Sequence, residues 1–124
     1  MNDDAYRQGI KLFNHREFFE AHEVLEDVWR AAHLNGPEKK FLQALIQIAV
    51  GLHHHSRGNL TGARSLLARA TRNLGKYPEA FGGINLVPLR ESLLAWSSAL
   101  SENGPPPPHF SLQSSVVGRQ PKKS

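Results

Sequence analysis

The chain has 124 residues, 40% of them hydrophobic and 21% charged, which gives one globular domain with a core of four or five helices and excludes a disordered or fibrous polymer. It has no cysteine, so disulfides, thiolate zinc sites and thiol catalysis are excluded. The net charge of +4 argues little for a nucleic-acid partner: Arg119, Lys122 and Lys123 follow Gly104, and up to Gly104 twelve Lys/Arg stand against eleven Asp/Glu.

In chain order, Asp3 or Asp4 caps a first helix through about Phe13, with Tyr6, Ile10 and Phe13 on one face. Asn14 and His15 break it, and a second helix runs from about Arg16 to His33. Asn35-Gly36-Pro37 is a turn with proline at a helix start, opening a third helix near Glu38 that ends around Ser56. Gly58 suits its C-terminal cap and Asn59 the N-cap of a fourth helix through about Leu74. Gly75, Pro78 and Gly82-Gly83 mark a loop, and no segment reads as a strand. Leu86, Leu89, Leu93, Trp96 and Leu100 recur at helical steps and give a fifth amphipathic helix. Pro105 to Pro108 end it, and residues 104–124 read as a Pro-rich, basic, disordered tail to a helical bundle over residues 1–103.

The expected fold class is therefore all-α, a compact bundle of about five helices. Gly9, Ala21 and Leu25 recur as Gly51, Ala63 and Leu67, each shifted by 42 positions, so two antiparallel helix pairs are expected. The spacing is faintly tetratricopeptide-like, but two copies favour a closed bundle over an open solenoid. No apolar run reaches the roughly 18 residues of a membrane span, and the N-terminus shows no signal-peptide pattern. The expected compartment is the cytoplasm, with no membrane partner; oligomeric state is not legible.

The segment from Glu17 to Arg30 carries the strongest hint of chemistry. It combines His22 with Glu17, Glu20, Glu23, Glu26 and Asp27, and on a helical wheel His22 and Glu26 flank the apolar face one turn apart. The third helix is apolar nearly all round, yet Gln43, Gln47 and His54 share one stripe. A buried amide without partners costs roughly 1–3 kcal/mol, so that stripe must face something polar, and His22 and Glu26 are the expected partners. Two readings compete. In one, His22, Glu26 and His54 hold a divalent metal (Zn, Fe or Mn) with an open water position, and Glu23 or Gln47 orients the water. In the other, His22, Glu26, Trp29, Gln43, Gln47 and His54 line a polar network or ligand cleft between the second and third helices. Glutamine is a poor metal ligand and a good network member, which favours the second.

The fourth helix presents Arg57, Arg64, Arg69, Arg72 and Lys76 with no acid among them. A solvated face complementing the acidic second helix accounts for these; an anion, phosphate or nucleic-acid surface is the competing reading, weakened for single strands by the lack of interleaved aromatics.

Taken together, Phe13-Asn14, Phe18-Phe19-Glu20-Ala21-His22-Glu23-x-Leu25-Glu26-x-x-Trp29, Phe41-Leu42-Gln43-x-Leu45-Ile46-Gln47 and Gly58-Asn59-x-x-Gly62-Ala63-x-x-Leu66-Leu67 resemble the DUF309 family of small bacterial and archaeal helical proteins. The likeness covers about Tyr6 to Leu74, with Ala44 standing where such proteins often have Gly. It implies an all-α fold and brings with it no established activity and no catalytic residues. The functional expectation is a protein that binds a small molecule or protein partner in the His/Glu/Gln cleft. The alternatives are a metal-dependent hydrolase-like enzyme using His22, Glu26 and His54, and a helical-repeat interaction module.

Overall fold

The computed structural model describes residues 3–31 and 36–115. Its helices are α1 (Asp3–Asn14), α2 (Phe18–Ala31), α3 (Gly36–Ser56), α4 (Leu60–Leu74) and α5 (Leu86–Ser101), with two short strands, β1 (Ala80–Phe81) and β2 (Ile84–Asn85), before α5. The helices pack on their sequence neighbours, α1 on α2, α2 on α3, α3 on α4 and α4 on α5. The bundle with α3 at its centre is the all-α fold expected. The part of the second helix expected to reach His33 lies outside the described residues.

α3 is central because its sequence is apolar nearly all round, with only a narrow polar stripe. Phe41, Leu42, Ala44, Leu45, Ile48, Ala49, Gly51 and Leu52 are all buried, which needs neighbours on both sides. Gly58, at φ 81°, ends it, and the Asn59 side chain accepts from Gly62 N at 2.9 Å to start α4.

The internal repeat has a physical counterpart. A Cβ on Gly9 would sit 2.7 Å from Leu25 Cδ2, and one on Gly51 would sit 3.1 Å from Leu67 Cδ2. Ala21 and Ala63 are fully buried. In both pairs a glycine of one helix lets a leucine of the next press against bare backbone, so α1–α2 and α3–α4 are two versions of one helix pair.

Two features depart from the sequence reading. The loop after α4 contains a small antiparallel hairpin, Ala80 opposite Asn85 and Phe81 opposite Ile84. Gly82 (φ 58°) and Gly83 (φ 76°) form its two-residue turn, both in the left-handed region such a turn requires. A Cβ on Gly82 would lie 2.6 Å from Phe41 Cε2, so the turn is pressed onto the core. Two-residue strands carry no alternation for a sequence reading to detect.

The second departure concerns residues 104–115, expected to belong to a disordered tail. They lie across the bundle as a strap. Trp96 Nε1 donates to Pro108 O at 3.2 Å, and Phe110 meets the ring of Phe13 with centroids 5.9 Å apart. Leu112 is 3% exposed, its N–H donating to Asn14 Oδ1 at 2.7 Å while Asn14 Nδ2 donates to Leu112 O at 3.3 Å. Asn85 N–H donates to Gln113 O and Ser115 N–H to Gly83 O, tying the strap to the hairpin. Polyproline-type chain needs no internal hydrogen bonds and shows no helical or strand period, so composition alone reads it as unstructured. Residues 116–124 lie outside the described residues.

Candidate functional site

The expected cleft residues fall on two different interfaces. On α2, His22 is half-buried; its Nδ1–H donates to Phe19 O at 2.8 Å, and Nε2 stands 3.8 Å from Glu26 Oε1. Glu26 in turn accepts from Arg30 Nη2 at 2.9 Å, an i,i+4 pair on the rim of the helix. Trp29 is half-buried, with Lys39 Nζ 4.5 Å from its ring centroid, and its indole N–H finds no acceptor among the described residues.

The polar stripe of α3 turns the other way. Gln47 Oε1 accepts from Asn73 Nδ2 of α4 at 3.0 Å. His54 Nδ1 lies 3.4 Å from Asn59 Nδ2 at the start of α4. Gln43 is exposed. The histidine that does reach α2 is His53, whose ring centroid is 5.2 Å from that of Phe19, itself 5.1 Å from His22. Sequence reasoning thus found the amides and the imidazole but gave them the wrong neighbouring helix.

The metal reading is overturned. Among the described residues no group of three or more His, Cys, Asp or Glu side chains is placed to hold a metal ion. His22 and Glu26 point along α2 to their own helical neighbours, while His54 is turned to Asn59, so the Zn, Fe or Mn site built on these three does not form. With it goes the only residue set from which a metal-dependent hydrolase was expected.

Two concavities among the described residues gather charged and aromatic side chains from several elements. One, of about 720 Å³, lies where the start of α2, the end of α3 and the strap converge, and presents Arg16, Glu20, His53, His55 and His109. His109 sits between Phe18 and Trp96, with ring centroids 5.6 Å from each. Its pKa is held below the ordinary histidine value, first by burial and then by the positive charge of Arg16 and by His55.

The other, of about 790 Å³, lies where the start of α3, the end of α4 and β1 meet, against Gly36 and Pro37. Lys40, Arg72 and Lys76 surround it, Tyr77 and Phe81 form its apolar wall, Asn73 contributes an amide, and among the described residues no carboxylate lines it. Among the described residues none of the three cations has an ion-pair partner. The wall is fixed in place: Tyr77 Oη donates to Pro37 O at 2.6 Å, and its ring meets Phe81 edge-on at 4.8 Å. Phe81 backs onto the fully buried Phe41 at 4.9 Å. Burial pushes the Tyr77 phenol pKa up, so this hydroxyl keeps its proton and its donor role.

Arg90 of α5 ties the loop after α4 to the end of that helix. Its guanidinium donates to Leu74 O at 2.6 Å, satisfying a carbonyl at the end of α4, and to Tyr77 O in the loop that follows. The sequence reading placed Arg72 and Lys76 on one basic face. It missed Lys40, Tyr77 and Phe81, whose only signal was two aromatics in a Gly- and Pro-marked loop.

Fold and surface define a small helical-bundle protein made of two related helix pairs, and no helix among the described residues is long and apolar enough to cross a membrane. Residues 6–66 match the model of a domain of unknown function, DUF309. The match runs from α1 into the first half of α4, stopping short of the rest of α4, the hairpin, α5 and the strap. The chain is 30% identical over 111 residues, 90% of its length, to an uncharacterized protein of Aquifex aeolicus (strain VF5), of which this covers 33%. It is 41% identical over 61 residues, 48% of its length, to the uncharacterized protein YpuF of Bacillus subtilis (strain 168), again 33% of that protein. These similarities span about a third of the length of both relatives.

Proposed function

We propose that this protein is a ligand-binding protein whose ligand is an anion, taken up in the hollow between the start of α3, the end of α4 and β1. The observation that carries this reading is the convergence of Lys40, Arg72 and Lys76 on one concavity with no lining carboxylate among the described residues. Helix-dipole stabilisation, worth about 0.3–1 kcal/mol, accounts for Arg72 and Lys76 at the end of α4. It does not account for Lys40, which sits near the positive end of α3, where a cation is disfavoured. Three like charges around one hollow repel each other in the free protein, and an anion relieves that repulsion on binding. The volume falls in the roughly 300–1,000 Å³ range of small-molecule sites.

The test is a titration with pyrophosphate at low salt, followed by amide chemical shifts. Binding at the hollow moves the signals of residues 37–41 and 72–82 along saturating curves, and Arg72→Glu with Lys76→Glu abolishes the effect. Shifts that stay linear, or that scatter over Arg57, Arg64 and Arg69 as well, would mean general surface screening and end the proposal.

A further inference from the structure

Resting on that reading, we infer that the ligand is a nucleoside phosphate, its phosphates held by Lys40, Arg72 and Lys76 and its base laid against Tyr77 and Phe81. The cations alone would serve any small anion. What selects further is the wall beside them. Tyr77 and Phe81 are both half-buried, held edge-on to each other and backed by Phe41, and they leave ring surface turned into the same hollow as the cations.

Rigid aromatic faces next to a phosphate-binding group favour a ligand that is planar and apolar at one end and multiply anionic at the other. The Tyr77 hydroxyl is already committed to Pro37 O, so the ring cannot swing out to fill the space itself. Arg72 brings the planar, forked donor geometry that matches phosphate, and Lys40 and Lys76 add point charges. Asn73 gives one N–H to Gln47, which leaves its carbonyl oxygen and a second N–H for the hydrogen-bonding edge of a base. The polar stripe of α3 thereby acquires a role: Gln47 holds Asn73 in position at the rim of the hollow.

The experiment compares ADP, adenosine, pyrophosphate and an eight-residue oligothymidylate by calorimetry at one fixed low salt concentration. ADP is expected to bind on the order of tenfold more tightly than pyrophosphate, a difference of about 1.4 kcal/mol, within the range of base–aromatic stacking. Adenosine is expected to bind more weakly still. Phe81→Leu and Tyr77→Leu should bring ADP down to the pyrophosphate level while leaving pyrophosphate unchanged. Tyr77→Phe, which keeps the ring and loses only the Pro37 anchor, should retain ADP within about threefold.

Equal affinity for ADP and pyrophosphate would overturn the nucleoside assignment and leave the anion site intact. Loss of both ligands at wild-type sequence would overturn the anion site itself. An oligonucleotide that binds more than a hundredfold tighter than ADP would replace the mononucleotide by a nucleic-acid strand.

Discussion

The pair Gly9→Ala and Gly51→Ala tests the repeat at its most sensitive point. Both changes add one methyl group inside a helix, where alanine is favoured over glycine by about 0.8–1 kcal/mol. The space available differs. The new carbon on residue 9 would lie 2.7 Å from Leu25 Cδ2 and 2.8 Å from Cγ, against an ordinary separation of roughly 3.5–4.0 Å. Leu25 is fully buried, so it has nowhere to withdraw, and overpacking of this kind costs about 1–3 kcal/mol. On residue 51 the nearest atoms are 3.1 and 3.2 Å away, a gap that a few tenths of an ångström would restore. Gly9→Ala should therefore destabilise by about 1 kcal/mol net, and Gly51→Ala should lie within about 0.5 kcal/mol of wild type.

Urea denaturation resolves this difference, since a slope of roughly 1–3 kcal/mol per molar turns 1 kcal/mol into a shift of about 0.3–1 M in midpoint. Combining Gly9→Ala with Leu25→Ala makes the test sharper. The truncation alone opens a cavity, and the added methyl then enters free space, so the double variant should be more stable than the sum of the two losses. Gly9→Ala that is as stable as Gly51→Ala, or a double variant that is simply additive, would refute the claim that glycine–leucine contact sets the spacing of α1 and α2.

Three further outcomes follow from the strap and the hairpin. Leu112→Ala should cost about 2 kcal/mol, the lower end of the range for a buried leucine, and should expose residues 105–113 to limited proteolysis; an unchanged denaturation midpoint would show that the strap adds no stability. Tyr6→Phe removes the hydroxyl that donates to Gly82 O at 2.6 Å, and should cost about 1 kcal/mol by the same measurement. Burial also raises the Tyr6 pKa strongly, so its contribution is complete below about pH 10 and is lost as the pH rises beyond it; Tyr6→Phe should lack that alkaline loss. His109 has a depressed pKa in the folded state, so the unfolded chain binds the proton more readily. Its contribution is present above about pH 6.5 and is lost as the pH falls through that value toward the lower folded pKa. His109→Gln should flatten the melting-temperature profile between pH 5 and 7, and parallel profiles would contradict the assignment.

Much of the fold was written in local signals. Asn59 caps α4 and Gly58 ends α3 where the pattern of residues placed them, because capping chemistry acts over three or four positions. The recurrence of Gly9 and Leu25 as Gly51 and Leu67 was legible because close helix contact demands a residue with no side chain at a fixed register. The hairpin and strap were not legible for the opposite reason. Phe110 and Leu112 are isolated apolar residues in proline-rich chain, and Gly82 depends on its distance to Phe41, some forty positions away. Nothing periodic marks such contacts.

The site turned on a choice that a helical wheel cannot make. A wheel correctly put Gln47 and His54 on one stripe of α3, but α3 has neighbours on either side, and the stripe meets α4 through Asn73 and Asn59. Asn59 both caps α4, as its position predicts, and meets His54, while Asn73 carries no local signal that marks it as the complement of Gln47. Once Gln47 is satisfied by Asn73, His22 and Glu26 need no partner across the helix pair, and they settle for Phe19 O and Arg30 on their own helix. The same contact carries the polar stripe toward Lys40, Arg72 and Lys76 at the far end of α4. Three cations therefore gather where chain segments distant in sequence end beside one another. Each alone looks like an ordinary solvated surface.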